Sequence, residues 1–165
     1  MYDVAEIGRQ RYQIKRDAGI SAQRKDGSFT SAETDINAAA AESYAAEQMG
    51  LDFDARVTKH GDGGVDLTLP IRIDVVWMGV DKRTGKPRET GHLIINPDEP
   101  QRWSDIYLVV KGSVETGFDI LGWTTHNELV RLPKRNFGYG EKFAMPTHRL
   151  RPISELIALR MERTV

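Results

Sequence analysis

Two aspartates, Asp66 and Asp74, are the residues whose types and spacing most directly suggest chemistry. They lie in Gly61–Met78, GDGGVDLTLPIRIDVVWM, where a glycine-rich turn (Gly61, Gly63, Gly64) precedes two strand-like runs, Val65–Leu69 and Ile71–Met78. Pro70 separates the runs, and a residue with no N–H belongs in a turn rather than a ladder. The pattern predicts a tight antiparallel hairpin. With the turn centred on Pro70, Asp66 faces Asp74, and directly opposed side chains have Cβ atoms ~5 Å apart. Two carboxylates at that separation repel each other unless a cation lies between them. Their oxygens suit a hard divalent ion, magnesium or manganese. The alternation agrees with this facing: Ile71, Ile73, Val75 and Trp77 share one side, and Arg72, Asp74, Val76 and Met78 the other. The bland alternative is that both aspartates are solvated polar positions on the outer face of a half-exposed hairpin.

A glycine-rich turn, an aspartate, a hairpin turn and then Ile-Asp-Val-x-Trp resembles the core motif of the PD-(D/E)xK, or restriction-endonuclease-like, superfamily. The resemblance implies that Asp66 and Asp74 hold magnesium (or manganese), with the backbone carbonyl of Val75 completing the coordination. It also implies a lysine two residues after the second acid, where this chain has Val76. Lys111, at the end of a later strand, is the first candidate to replace it, and Lys82 the second. The helix ahead of the hairpin often supplies a further glutamate in this superfamily, and Ala-Glu-Ser-Tyr-Ala-Ala-Glu places Glu42 in that position. Glu47 reads as surface. The stretches Asp105-Ile-Tyr-Leu-Val-Val, Gly122-Trp123-Thr-Thr and Leu150-Arg-Pro-Ile-Ser-Glu-Leu are similar to small phage-type nucleases of the same superfamily. The resemblance covers roughly residues 31–157.

The elements that must position these residues follow from pattern. Met1–Gly19 has basic residues interleaved with Ile7, Tyr12 and Ile14, predicting a basic amphipathic helix. A polar loop with a turn at Lys25-Asp26-Gly27 follows. The clearest helix spans about Ser31 to Met49, with Ser31 as cap, the alanine run 38–41 inside it and Gly50 closing it. A short strand is expected at Ala55–Lys59, ahead of the hairpin. Beyond the hairpin, Gly79–Gly91 is a charged loop. His92–Ile95, Ile106–Val110 and Phe118–Trp123 read as strands, the second buried on both faces. Thr125-His126-Asn127-Glu128 has the pattern of a capped helix start. Trp103, Tyr107 and Trp123 read as core, and Ser154–Arg163 as a closing helix. The fold class expected is α/β (α+β), a restriction-endonuclease-like central mixed sheet of about five strands flanked by helices in a single domain. A basic N-terminal helix and loop (1–30) lead into the nuclease-like part (31–165).

Composition sets the outer bounds. The 165 residues are enough for one substantial core, and there is no cysteine, so disulfides and thiolate zinc sites are excluded. The four histidines are dispersed without ligand spacing. No apolar run approaches the ~20 residues of a membrane helix, and the charged start shows no signal peptide, so an intracellular, cytoplasmic protein is expected. The phage-type resemblance extends this to a phage protein acting in a bacterial host. Net charge is −1, but residues 1–25 carry six basic and three acidic side chains and residues 131–165 eight and three. The middle holds nine basic against eighteen acidic. A polyanion would be drawn to the ends and repelled by the centre unless metal neutralises it. Lys82 and Arg83 in the charged loop, and Lys134, Arg135 and Tyr139 in the glycine-rich RLPKRNFGYG stretch, are the candidate DNA contacts, with Phe137 or Tyr139 able to stack on a base.

Three functions remain open at this point: a magnesium-dependent DNA endonuclease, a catalytically lapsed nuclease-fold module that binds DNA or a protein, and a purely structural subunit. Cutting both strands of a duplex would call for a two-fold homodimer.

Overall fold

The computed structural model describes residues 3–20, 29–55, 57, 66–68, 71–81, 84 and 91–162. Helix α1, Val4–Asp17, is capped by the Asp3 side chain accepting from the Glu6 amide. Helix α2, Ser31–Met49, has the predicted span, but its cap is Thr30 rather than Ser31. Thr30 and Glu33 form a reciprocal capping box, which satisfies two orphan donors where Ser31 could satisfy one. Gly50 ends the helix in the left-handed conformation. The alanines of α2 let neighbours approach closely. Gly8 of α1 sits against the Ile36 backbone, where a Cβ would clash.

The strands are β1 (Leu67–Thr68), β2 (Arg72–Met78), β3 (His92–Ile95), β4 (Ile106–Ser113), β5 (Gly117–Thr125), β6 (Arg135–Asn136) and β7 (Glu141–Pro146). They form two sheets, ordered β1-β2-β4-β5 and β3-β7-β6. This corrects the expectation of one sheet of about five strands. β2 and β4 pair in parallel and the other pairs are antiparallel, so the larger sheet is mixed as expected. β3 leaves it because its partner is β7, which the sequence hid. Only Phe143, Ala144 and Met145 are buried in β7, three residues in a row that show no period-two alternation, next to a glycine-flanked turn. Two short helices, α3 (His126–Val130) and α4 (Ile153–Glu162), complete the chain.

Side-chain alternation divides the interior in two. Ile73, Val75 and Trp77 of β2 and Leu108 and Val110 of β4 join Ala41, Ala45 and Met49 of α2 and Leu156 of α4 in one core. Tyr107 and Val109, from the opposite face of β4, join Leu93, Leu129, Phe143 and Met145 in the other. The larger sheet is therefore sandwiched between helices on one face and the smaller sheet with α3 on the other. The all-buried run of β4 follows from this, as does its apolar sequence. Tyr107 and Trp123 lie fully inside, as expected of core aromatics. Trp123 also donates from its indole N–H to the Pro152 carbonyl (3.1 Å), so its polar edge is satisfied. No helix among the described residues is long and apolar enough to cross a membrane.

Candidate metal and nucleic-acid site

The hairpin register is the one implied by a turn centred on Pro70. Leu67 pairs with Ile73 and Thr68 with Arg72. The paired register ends there: Asp66 lies just ahead of β1, and its amide donates to the Ile73 carbonyl (3.0 Å), one residue off the pairing that would set it directly opposite Asp74. Residues 61–65, 69 and 70 lie outside the described residues, so the glycine turn and the tip of the hairpin do too, as do the expected turn at 25–27 and most of the strand expected at Ala55–Lys59. Asp66 is buried, and its carboxylate accepts the Val75 amide at 2.6 Å. β1 is only two residues long, and the side chain of Asp66 takes the place of a ladder carbonyl for β2. A buried amide without such a partner would cost about 1–3 kcal/mol. Asp105 does the same at the other side of β2, accepting from the Arg72 amide at 2.8 Å.

Asp74 is half-buried and lies beside Tyr107, its register partner on β4. Burial, with a smaller contribution from the Asp74 charge, pushes the Tyr107 phenol up to about 12, so it stays protonated. Its oxygen accepts from the Ser104 amide (3.3 Å) and lies 3.0 Å from His126 Nδ1. Burial holds His126 below its ordinary value, outweighing the opposing charge of Asp105, and its ring packs 4.5 Å from that of Trp103. The Tyr107–His126 pair was not singled out in the sequence. The two residues are nineteen apart, and no local pattern joins them.

The remaining candidates are dispersed. Glu42 is buried on α2, but Arg11 of α1 reaches it at 2.6 Å and also contacts the Asp54 carbonyl at 3.4 Å. No group of three histidine or carboxylate side chains among the described residues is gathered in a way that could hold a metal, so Glu42 does not close a triad with Asp66 and Asp74. Lys111 is on the Asp74 face of the sheet, but its strand partner is Met78, four residues beyond Asp74. That is ~13 Å along a strand. Its ammonium pairs with Asp119 across β5 at 3.2 Å. Val76 packs against the second core, and Val75 is buried in the first. Glu47 is exposed. Lys82 and Arg83 lie outside the described residues.

As donors for a divalent ion, the two aspartates fit a sparse oxygen set. Magnesium is commonly held by one or two carboxylates, with water and phosphate supplying the rest. The Val75 amide on Asp66 is the kind of hydrogen bond that orients a ligating carboxylate.

Lys134, Arg135 and Tyr139 all lie in or beside the β6–β7 hairpin of the smaller sheet. Arg135 donates to His92 Nε2 at 3.0 Å. Burial first, then the charges of Arg135 and His148, keep His92 below its ordinary value, which suits an acceptor. Phe137 and Tyr139 stack at 6.2 Å with 23° between their planes, and Tyr139 is 61% exposed. Lys142 lies over the Tyr139 ring and Lys134 over that of Phe143. Lys134, Arg135 and Tyr139 of this β6–β7 hairpin are all exposed.

Against known proteins, the chain matches no family model, no curated relative and no solved structure.

Proposed function

We propose that the protein is a metal-dependent endonuclease that hydrolyses DNA phosphodiester bonds, with Asp66 and Asp74 holding one magnesium or manganese ion. What supports this reading is that both aspartates lie at one end of the β1–β2 hairpin, Asp66 buried just ahead of β1 and Asp74 half-buried within β2. The ion, when bound, would polarise the phosphate and make water a stronger nucleophile near neutral pH. Asp66 is oriented for this by the Val75 amide, and Asp74 supplies the second carboxylate. Glu42 is left out of the set because Arg11 already neutralises it. The hairpin of Lys134, Arg135 and Tyr139 would hold the substrate through phosphate contacts and base stacking.

A second reading is favoured by Val76, whose side chain fills the second core where the resembled motif has a lysine. In that reading catalysis has lapsed and the chain binds DNA or a protein partner. Cleavage of supercoiled plasmid and single-stranded DNA in magnesium and manganese, with Asp74→Ala beside the natural protein, separates the two. Metal-dependent cutting that disappears in the variant supports the nuclease. Salt-sensitive DNA binding without cutting by either protein supports the lapsed module, and equal cutting by both defeats the assigned site.

A further inference from the structure

Two strands away from Asp74, the other edge of the larger sheet carries a feature of opposite charge. Asp74, Tyr107 and Thr124 occupy one row across β2, β4 and β5. At ~4.8 Å per strand, Thr124 is ~10 Å from Asp74. Thr124 opens into a cavity of about 260 Å³ bounded by α3, the end of β7 and the chain at 149–151. Three arginines line it: Arg131, Arg149 and Arg151. Leu132 and Met145 provide apolar walls.

Arg151 is fixed in place more firmly than a surface arginine. Its backbone bridges Trp123 in both directions, with amide-to-carbonyl distances of 2.9 Å. Its guanidinium stacks 3.6 Å from the centre of the Trp123 ring. Gly122, at φ +141°, permits this approach, since a Cβ there would strike the Arg151 carbonyl. One guanidinium nitrogen, Nη2, reaches Glu128 at 3.1 Å. Nε is buried and has no hydrogen-bond partner among the described residues. A buried guanidinium N–H left in this way calls for an acceptor.

Glu128 does not cancel the arginines. Its Oε2 already accepts from the Thr125 amide and from the Thr124 and Thr125 hydroxyls, each at 3.0 Å, as well as from Arg151. Burial alone would raise its pKa, but these bonds outweigh it and keep the carboxyl ionised. Three arginine charges, that of Arg151 held in place, against one carboxylate leave a surplus of two. A phosphate monoester carries ~−1.5 to −2 at neutral pH, and arginine forks bind its oxygens in pairs.

We propose that this cavity is an anion site for a phosphate monoester, bound by Arg131, Arg149 and Arg151. The 5′-phosphate of a DNA end and a free small phosphate share this chemistry. The site does not depend on the nuclease reading, and its test excludes metal.

Titration calorimetry in EDTA would use inorganic phosphate, and a short single-stranded oligodeoxynucleotide carrying either a 5′-phosphate or a 5′-hydroxyl. Arg131→Gln and Arg149→Gln remove exposed side chains, so folding should persist, with circular dichroism as the check. The 5′-phosphate should tighten binding about tenfold, and each substitution should remove most of that gain, the effect of one charged hydrogen bond. Arg135→Gln should weaken both oligonucleotides equally. Saturable binding of inorganic phosphate without any 5′-phosphate advantage would support the site and assign it to a small free ligand. No phosphate binding and no 5′-phosphate advantage would overturn the proposal, as would variants that bind like the natural protein.

Discussion

The two edges of the larger sheet treat their carboxylates in opposite ways. At the β1 edge, the buried carboxylate of Asp66 accepts the Val75 amide, and Asp74 lies half-buried on β2 beside Tyr107. At the β5 edge, Glu128 collects two hydroxyls, an amide and Arg151, while the isolated bridge from Trp123 to Arg151 closes the strand. The difference lies in strand length. β5 runs nine residues and hands its last residue, Thr125, to the cap of α3, so Glu128 finds its partners within the turn that follows the strand. β1 has two residues, and a side chain must complete the ladder for β2. An edge finished by carboxylates attracts cations, whereas an edge finished by arginines attracts anions.

The largest effect expected from this contrast is at Asp74. Asp74→Ala should reduce metal-dependent cleavage at least ~100-fold, the upper range for disturbing even an indirect metal contact. Circular dichroism should show this variant folded, so that the loss reports on the site. Asp66→Ala should abolish cleavage too but also cost about 1–3 kcal/mol in denaturant unfolding, since the buried Val75 amide loses its acceptor. Equal stability of the two variants would sink the view that Asp66 completes the ladder. At the other edge, Thr125→Ala removes the cap of α3 and should cost about 1 kcal/mol, with no effect on cleavage.

Acidification sharpens the comparison further. The pKa of His126 is depressed in the folded protein, so the unfolded chain binds its proton more readily. Its contribution to stability is therefore complete above the ordinary histidine value of 6.5 and declines as pH falls through the lower folded value. Thermal melts between pH 7.5 and 5 should show the loss, and His126→Phe should reduce it. The smallest effect is expected at Lys111. Its partner Asp119 is 67% exposed, so Lys111→Met should change stability by under ~0.5 kcal/mol. It should leave cleavage intact if the four-residue offset from Asp74 keeps the ammonium out of the reaction. A large loss of cleavage would instead place Lys111 at the reacting phosphate.

Much of this was legible from residues acting over short distances. α1 and α2 follow from apolar spacing and alanine propensity, and β3 falls on its expected residues. The start of α3 follows from one four-residue pattern, since a cap and its reciprocal glutamate must be three residues apart. The register of β1 on β2 follows from the position of a single proline, because the alternation of strands has a period of two and fixes both faces at once. Thr30 in place of Ser31 shows the limit of such reading: two adjacent hydroxyls can both cap, and the geometry of Glu33 selects one.

The rest is set by contacts between residues that are remote in sequence. Arg11 and Glu42 are thirty-one residues apart, and no local rule indicates that one helix neutralises the other's carboxylate. β3 looks like its neighbours in β2 and β4, yet it pairs with β7 fifty residues on, because strand hydrogen bonding is indifferent to sequence distance. Glu128 and Arg151 meet only because Gly122 lets the chain at 151 lie against β5. The sequence by itself determined the register of the hairpin and most of the elements around it, through short-range pairing and periodicity. Only the tertiary structure decided which charges pair with which, because charge balance depends on partners that the chain brings together by folding.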